Sequence, residues 1–146
     1  MNDRLNSFYR SLNHKKVSFI GLGRSHRELL PMFASKGASV TLRDKRTREQ
    51  IGEEADKLEA LGIQLTLGEH YLEGLCEEDM ILRTPGMNYL TPALQQARKS
   101  GCAVTSEMEL FFDLCPCKIY AVTGSDGKTT TTSVIAEFLN CLLYTS

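Results

Sequence analysis

A lysine between glycine and threonine residues follows an apolar segment near the end of this 146-residue chain. Residues 120–123 lead into Gly124-Ser-Asp-Gly-Lys-Thr-Thr130. Glycines let backbone N–H groups turn towards an anion, the lysine adds a positive charge, and the next hydroxyl can bind a phosphate-bound magnesium ion. The pattern therefore predicts a phosphate-binding loop, in a shortened form because Val122 stands where the full pattern has glycine. The alternative is a surface turn that caps a helix.

A second glycine turn, Gly21-Leu-Gly23-Arg-Ser-His26, follows the first apolar segment. Dinucleotide-binding folds have a third glycine where this chain has His26, and they have an acid near the position of Asp44. The pattern predicts a ligand at the start of the next helix, or a turn with no ligand. The segment Thr84-Pro-Gly-Met87 follows the fourth strand, and it either faces the same crevice or is an ordinary turn.

The elements that position these turns alternate along the chain. We predict strands at 16–20, 39–43, 63–67, 80–83, 103–105 and 118–123, and helices between them and at 128–143. This alternation predicts an α/β fold: a Rossmann-like parallel sheet flanked by helices, followed by the opening strand, loop and helix of a P-loop ATPase domain. The predicted domains are residues 1–114 and 118–146.

Helix signals make the prediction more specific. Thr47 and Gln50, and likewise Ser106 and Glu109, have the spacing of capping boxes. The first pair predicts one helix up to Gly62, and the second predicts a helix that buries Met108, Phe111 and Phe112. Pro31 lies inside a predicted helix, where it should bend the axis.

Composition excludes several classes of protein. The net charge of −1 gives no basic surface for nucleic acid, and no apolar run has membrane-spanning length. The N-terminus lacks the apolar core of a signal peptide, so we expect a cytoplasmic protein. The five cysteines contain no CxxC pair, which favours reduced thiols over a metal or redox site.

Five motifs together resemble the Mur ligases, specifically the D-glutamate-adding (MurD) type, over residues 16–139. They are Phe19-Ile-Gly-Leu-Gly-Arg-Ser25, Val40-Thr-Leu-Arg-Asp44, Arg83-Thr-Pro-Gly86, Ser106-Glu-Met-Glu-Leu-Phe111 and Ala121-Val-Thr-Gly-Ser-Asp-Gly-Lys-Thr-Thr130. The resemblance implies an ATP- and Mg²⁺-dependent ligase of peptidoglycan synthesis. Such ligases activate the carboxylate of UDP-N-acetylmuramoyl-L-alanine as an acyl phosphate, which the amine of D-glutamate then attacks.

The resemblance also implies site residues. The UDP part of the substrate would lie at Gly23, Arg24, Ser25, Asp44, Lys45, Arg46, Thr84, Pro85 and Gly86. The ATP phosphates would lie at Gly124, Ser125, Asp126, Gly127, Lys128, Thr129 and Thr130. Lys128 and Thr129 would be catalytic, with Thr129 directed at the metal. His26 and Pro31 depart from the family pattern at the UDP turn.

The phosphate-binding loop begins close to the last residue. We therefore expect the chain to be the N-terminal part of a longer, monomeric enzyme, able to bind UDP but inactive alone. The alternative is a regulatory module that binds NAD or FAD through Gly21, Gly23 and Asp44 and has no ligase activity.

Overall fold

The computed structural model describes residues 3–144, except for the side chains of residues 143 and 144. It contains two compact units, Met1–Pro116 and Cys117–Ser146, which are described separately. No helix among the described residues is both long enough and apolar enough to cross a membrane.

The first unit is built on five parallel strands in the order β3-β2-β1-β4-β5. The strands are β1 (Lys16–Ile20), β2 (Ser39–Asp44), β3 (Gln64–Leu67), β4 (Met80–Arg83) and β5 (Ala103–Ser106). All five lie within one residue of their predicted bounds. The predicted Rossmann-like α/β fold is therefore confirmed for this unit.

Helices connect the strands. They are α1 (Asp3–Ser11), α2 (Arg24–Ser35), α3 (Arg48–Ile51), α4 (Glu53–Ala60), α5 (Pro92–Lys99) and α6 (Glu107–Leu114), with a 3-10 turn at Leu75–Glu77. Helix α2 runs through Pro31 as predicted, although Pro31 has no N–H to donate to the carbonyl of Arg27.

Side chains alternate between the two faces of the sheet, as the twofold repeat of a strand requires. Val17 and Phe19 lie in the larger apolar cluster, with Leu30 and Phe33 of α2. On the opposite face, Ile20 and Ile81 contact Leu94 and Ala97 of α5 and Leu75 of the 3-10 turn. The sheet is thus packed on both sides, and its strand ends are left to form loops.

Two helix predictions were wrong in detail. The helix expected from residue 47 to Gly62 is broken into α3 and α4 at Gly52, whose φ of +70° cannot continue a helix. On α6, Met108, Phe111 and Phe112 are 48–52% exposed rather than buried, and Leu110 packs against the core instead. The apolar spacing therefore assigned the wrong side chains of α6 to the core. Helix α6 follows the edge strand β5, where fewer elements are available to cover its apolar residues.

The second unit contains one regular element among residues 117–144, helix α7 (Lys128–Tyr144). The strand predicted at 118–123 was wrong, because these residues pair with no neighbouring strand. A strand needs a hydrogen-bonded partner, and the described part of this unit supplies no second strand. The expected start of a P-loop domain is therefore present only as a loop followed by a helix.

Candidate functional site

The carboxyl ends of three adjacent strands form a cavity of about 410 Å³. The register explains why its walls meet, since Ile20 of β1 pairs with Arg43 of β2 and with Arg83 of β4. The residues that follow these three partners are therefore brought to the same edge. The cavity is lined by Ile20, Gly21, Leu22, Gly23, Asp44, Lys45, Arg46, Tyr71, Thr84, Gly86 and Met87.

Asp44 accepts four hydrogen bonds through its side chain in this cavity and is only 4% exposed. Its Oδ1 accepts hydrogen bonds from the backbone N–H of Arg46 (2.9 Å) and from Arg46 Nε (3.0 Å). Its Oδ2 accepts from the backbone N–H of Leu22 (2.8 Å) and from Arg46 Nη2 (2.7 Å). The carboxylate therefore ties the end of β2 to the glycine turn after β1.

These contacts set the charge of the Asp44 carboxyl. Burial raises its pKa, but the hydrogen bonds from the Arg46 side chain and from the N–H groups of Leu22 and Arg46 outweigh burial. The result is a pKa of about 2, below the ordinary value of 3.8. The same pairing raises the pKa of Arg46. The two side chains are thus a charged, preorganised pair at neutral pH.

The glycine turn is held by short backbone bonds. The N–H of Gly21 donates to the carbonyl of Arg43 (2.7 Å), and the N–H of Gly23 donates to the carbonyl of Gly21 (3.0 Å). Gly21 has a φ of +83°, and a Cβ placed there would lie 2.9 Å from Thr84 Cγ2. Glycine is therefore required at position 21 both by the backbone and by the approach of the Thr84 loop.

A pair of alanine substitutions tests this requirement. We expect Gly21→Ala to lower the free energy of unfolding by about 1–3 kcal/mol, because it adds strain and a contact with Thr84. Gly23 has a φ of −85° and open space where a Cβ would lie, so Gly23→Ala should change stability by less than about 0.5 kcal/mol. Urea denaturation of both variants measures the difference, and equal losses would contradict the role given to Gly21.

The loop of the second unit is organised around a lysine, Lys128, and not around a buried carboxylate. Lys128 Nζ donates to the carbonyl oxygens of Gly124 (2.6 Å) and Ser125 (3.0 Å), so its ammonium group lies over the loop that precedes it. Helix α7 begins at Lys128, and the N–H of Thr131 donates to the carbonyl of Gly127 (2.9 Å). Loop, lysine and helix start therefore occur in the order that phosphate binding requires.

The family model for the Mur ligase MurD-like N-terminal domain matches residues 15–106, which include all five strands and the whole cavity. The chain belongs to this family. The resemblance seen in the sequence motifs is thereby confirmed.

Individual relatives agree with this assignment. UDP-N-acetylmuramoylalanine--D-glutamate ligase of Acetivibrio thermocellus is 44% identical over 139 residues, which are 95% of this chain and 30% of the relative. The chain therefore spans about 30% of the length of the curated relatives it matches.

Two solved structures resemble the MurD-like chain. A pseudomurein peptide ligase type C from Methanothermus fervidus is 29% identical with a TM-score of 0.53, covering 81% of this chain and 24% of its own. A dipicolinate synthase component from Bacillus halodurans has a TM-score of 0.54 at 15% identity, covering 79% of this chain and 46% of its own. The second similarity shows only a shared fold.

Most of the UDP-site residues predicted for the MurD-like domain lie together. Of the nine, the cavity is lined by Gly23, Asp44, Lys45, Arg46, Thr84 and Gly86. Arg24 lines a smaller adjoining cavity of about 290 Å³ with Leu22 and Arg27. Ser25 and Pro85 line neither cavity, although each is next in sequence to a residue that does.

His26, the departure from the family pattern, is accommodated inside the MurD-like domain. Its side chain is buried, its ring meets Phe19 edge-on at 5.2 Å, and its Nδ1 lies 2.7 Å from the carbonyl oxygen of Gly21. Burial lowers the pKa of His26, so the neutral ring donates from Nδ1 to that carbonyl. The histidine therefore donates to the turn from the core side. Dinucleotide-binding folds have glycine at this position, which allows close packing of the helix on the strand.

Sequence reasoning missed a buried cation, Arg43, which directly precedes Asp44 on β2. Arg43 is 6% exposed, and its Nε donates to Ser18 Oγ (2.7 Å) while its Nη2 pairs with Glu78 Oε1 (2.8 Å). Arg43 alternates with Leu42 on β2, so the strand pattern placed it on the face opposite the larger cluster. Nothing in the sequence indicated its partners, which lie 25 and 35 positions away.

A second arginine supports the Thr84 loop. Arg83 donates to the carbonyl of Met87 (3.4 Å) and pairs with Glu109 Oε1 (3.3 Å). Ser106 Oγ caps the helix by accepting from the Glu109 N–H (3.3 Å), as the predicted capping box requires, and the Glu109 carboxylate in turn accepts a hydrogen bond from the Ser106 backbone. The same carboxylate also contacts Arg83 and Thr105 Oγ1.

Proposed function

We propose that this MurD-like chain is the substrate-binding part of an ATP-dependent ligase that adds D-glutamate to UDP-N-acetylmuramoyl-L-alanine in peptidoglycan synthesis. The observation that carries the proposal is the cavity at the carboxyl ends of β1, β2 and β4 in a chain 44% identical to a ligase of that name. Ligands of open parallel sheets bind at this edge. The cavity would hold the UDP part of the substrate.

The residues around the cavity offer suitable chemistry for UDP. The start of α2 at Gly23–Ser25 supplies backbone N–H groups and a helix N-terminus, and Arg24 adds a positive charge for the diphosphate. Thr84, Pro85 and Gly86 approach the same turn, since Gly21 and Thr84 are in near contact. Lys45 and the Asp44–Arg46 pair would then lie at the ribose and uracil.

The second unit would hold ATP. Backbone N–H groups of Gly124, Ser125, Asp126, Gly127 and Thr130 would surround the phosphates, with Lys128 and Thr129 as the catalytic pair. The ammonium of Lys128, which donates to two carbonyl oxygens of the loop, would exchange these acceptors for phosphate oxygens, and the Thr129 hydroxyl would bind Mg²⁺. When bound, ATP with Mg²⁺ supplies the phosphoryl group that activates the substrate carboxylate.

Further parts of the proposal follow from the family. The division into a substrate domain (1–114) and the start of an ATPase domain (118–146) stays a prediction. The substrates would be UDP-N-acetylmuramoyl-L-alanine and D-glutamate, in a monomeric cytoplasmic enzyme without nucleic-acid partners or membrane insertion. Residues 1–146 are expected to bind UDP without ligase turnover.

The alternative, an NAD- or FAD-binding regulatory module, meets a specific obstacle. A ribose-binding carboxylate must accept hydrogen bonds from the sugar hydroxyls. Asp44 Oδ1 already accepts two hydrogen bonds from Arg46, and Asp44 Oδ2 accepts one from Leu22 and one from Arg46. An NAD ribose would have to displace the guanidinium of Arg46.

Isothermal titration calorimetry of the 146-residue chain with UDP and with NAD tests the proposal. We expect binding of UDP and no heat from NAD at the same concentrations. Binding of NAD without UDP would reject the ligase assignment of this cavity. Arg24→Gln is a useful companion, because loss of one charge contact to the diphosphate should weaken UDP about tenfold or more.

A further inference from the structure

A segment with no regular structure before its 3-10 turn carries an aromatic side chain to the cavity. Residues 68–74 form turns between β3 and the turn Leu75–Glu77. Tyr71 lies in this segment, lines the cavity and packs against the cluster that contains Ile20 and Leu75. Met87, from the loop after β4, shares both properties. The cavity thus has an apolar wall besides its charged one.

The segment is fixed at its start by the strand end that carries the charged wall. The N–H of Gly68 donates to the carbonyl oxygens of Asp44 (2.9 Å) and Arg46 (3.2 Å). The N–H of Tyr71 then donates to the carbonyl of Gly68 (3.4 Å). Tyr71 is therefore only three residues from a direct attachment to the Asp44–Arg46 loop.

Arg43 fixes the rest of the segment through hydrogen bonds to its backbone carbonyls. Its Nη1 donates to the carbonyl oxygens of Tyr71 (3.4 Å) and Glu73 (2.5 Å), and its Nη2 pairs with Glu78. A buried arginine is costly to desolvate, and an apolar residue of similar size could fill the space. Its Nη1 donors are instead used on two carbonyl oxygens of the segment, so they favour one conformation of it.

We propose that Tyr71 packs against the uracil ring of the bound UDP group and that Arg43 is a positioning residue that holds Tyr71 there. The inference rests on the proposed function, because it assumes that the cavity takes a uridine nucleotide. Aromatic side chains stabilise a base through its flat face, and the contact costs little entropy when the ring is already held.

The test compares UDP with inorganic pyrophosphate, which has no base, in NMR titrations of the 146-residue chain. We expect Tyr71→Ala to raise the Kd of UDP about tenfold and to leave the Kd of pyrophosphate unchanged. Tyr71→Phe keeps the ring and should bind UDP as the wild type does. The matched control is Glu73→Gln. The Glu73 side chain is exposed on the same segment and is not among the residues that line the cavity.

Arg43→Lys keeps the charge beside Glu78 but cannot reproduce the guanidinium bonds to both carbonyls and to Ser18. It should raise the Kd of UDP several-fold and not that of pyrophosphate. In the Tyr71→Ala background it should have little further effect, since the ring it positions is gone.

Three results would overturn the inference. They are a wild-type Kd for UDP in Tyr71→Ala, an equal loss of UDP and pyrophosphate binding in Arg43→Lys, and fully additive effects in the double variant. Tyr71→Ala decides the case even if Arg43→Lys does not fold. A wild-type chain that binds no UDP would instead reject the proposed function itself, so the two failures are distinguishable.

Discussion

Asp44→Asn is expected to lower the free energy of unfolding by about 2–3 kcal/mol and to weaken UDP binding at least tenfold. An amide can accept on one side only, so its NH₂ group would face two donors in either orientation: the Leu22 N–H with Arg46 Nη2, or the Arg46 N–H with Arg46 Nε. The turn at 21–23 and the loop at 44–46 would both lose their shared attachment. Urea denaturation and calorimetric titration with UDP measure the two effects.

The pH dependence of stability gives an independent check on Asp44. Its pKa in the folded chain, about 2, lies below the ordinary value of 3.8 that we expect in the unfolded chain. Its contribution is therefore complete above about pH 5, falls below pH 4 and is lost as the pH passes through about 2. The Asp44→Asn variant should lack this part of the fall in the free energy of unfolding at low pH. Parallel acid curves for the two proteins would show that Asp44 is not held as described.

Arg43→Met is expected to have the largest effect on stability, about 3–5 kcal/mol. The substitution leaves Glu78 as a carboxylate without its cation in a site where both side chains are 8% exposed. The carbonyls of Tyr71 and Glu73 and the hydroxyl of Ser18 lose a donor as well. Guanidinium chloride denaturation measures the loss.

A second variant separates the charge from the hydrogen bonds. Arg43→Met with Glu78→Met removes both charges, so it should recover about 2 kcal/mol relative to Arg43→Met alone. Arg48→Met is the matched control on the surface, where Arg48 pairs with Asp56 and Glu59 but is itself nearly half exposed. It should change stability little. A double variant no more stable than Arg43→Met would mean that the buried charge of Glu78 is not the cause.

Much of the cavity could be predicted because its residues follow strands directly in the sequence. In a parallel sheet the residues after each strand meet at one edge, so Gly23, Asp44 and Thr84 were brought together by strand order alone. The strand bounds were predictable from alternating and buried apolar residues, which report on local geometry.

The remaining features depend on contacts between distant residues. Arg43 finds Ser18, Tyr71 and Glu78 only after the sheet has formed, and no local pattern indicates those partners. The predictions of a buried face on α6 and of a strand at 118–123 failed for the same reason. Apolar spacing predicts which side of a helix is buried, but a covering layer must be present for burial to occur. It also predicts a strand, but the strand forms only with a pairing partner.

Backbone NMR with added UDP tests the central claim most directly. If the cavity at the ends of β1, β2 and β4 binds the UDP group, the amide signals of Gly23, Lys45 and Gly86 should shift together in one saturable titration. NAD at the same concentrations should leave them in place. Shifts of these amides with NAD and none with UDP would contradict the assignment of this chain as the UDP-binding part of a ligase.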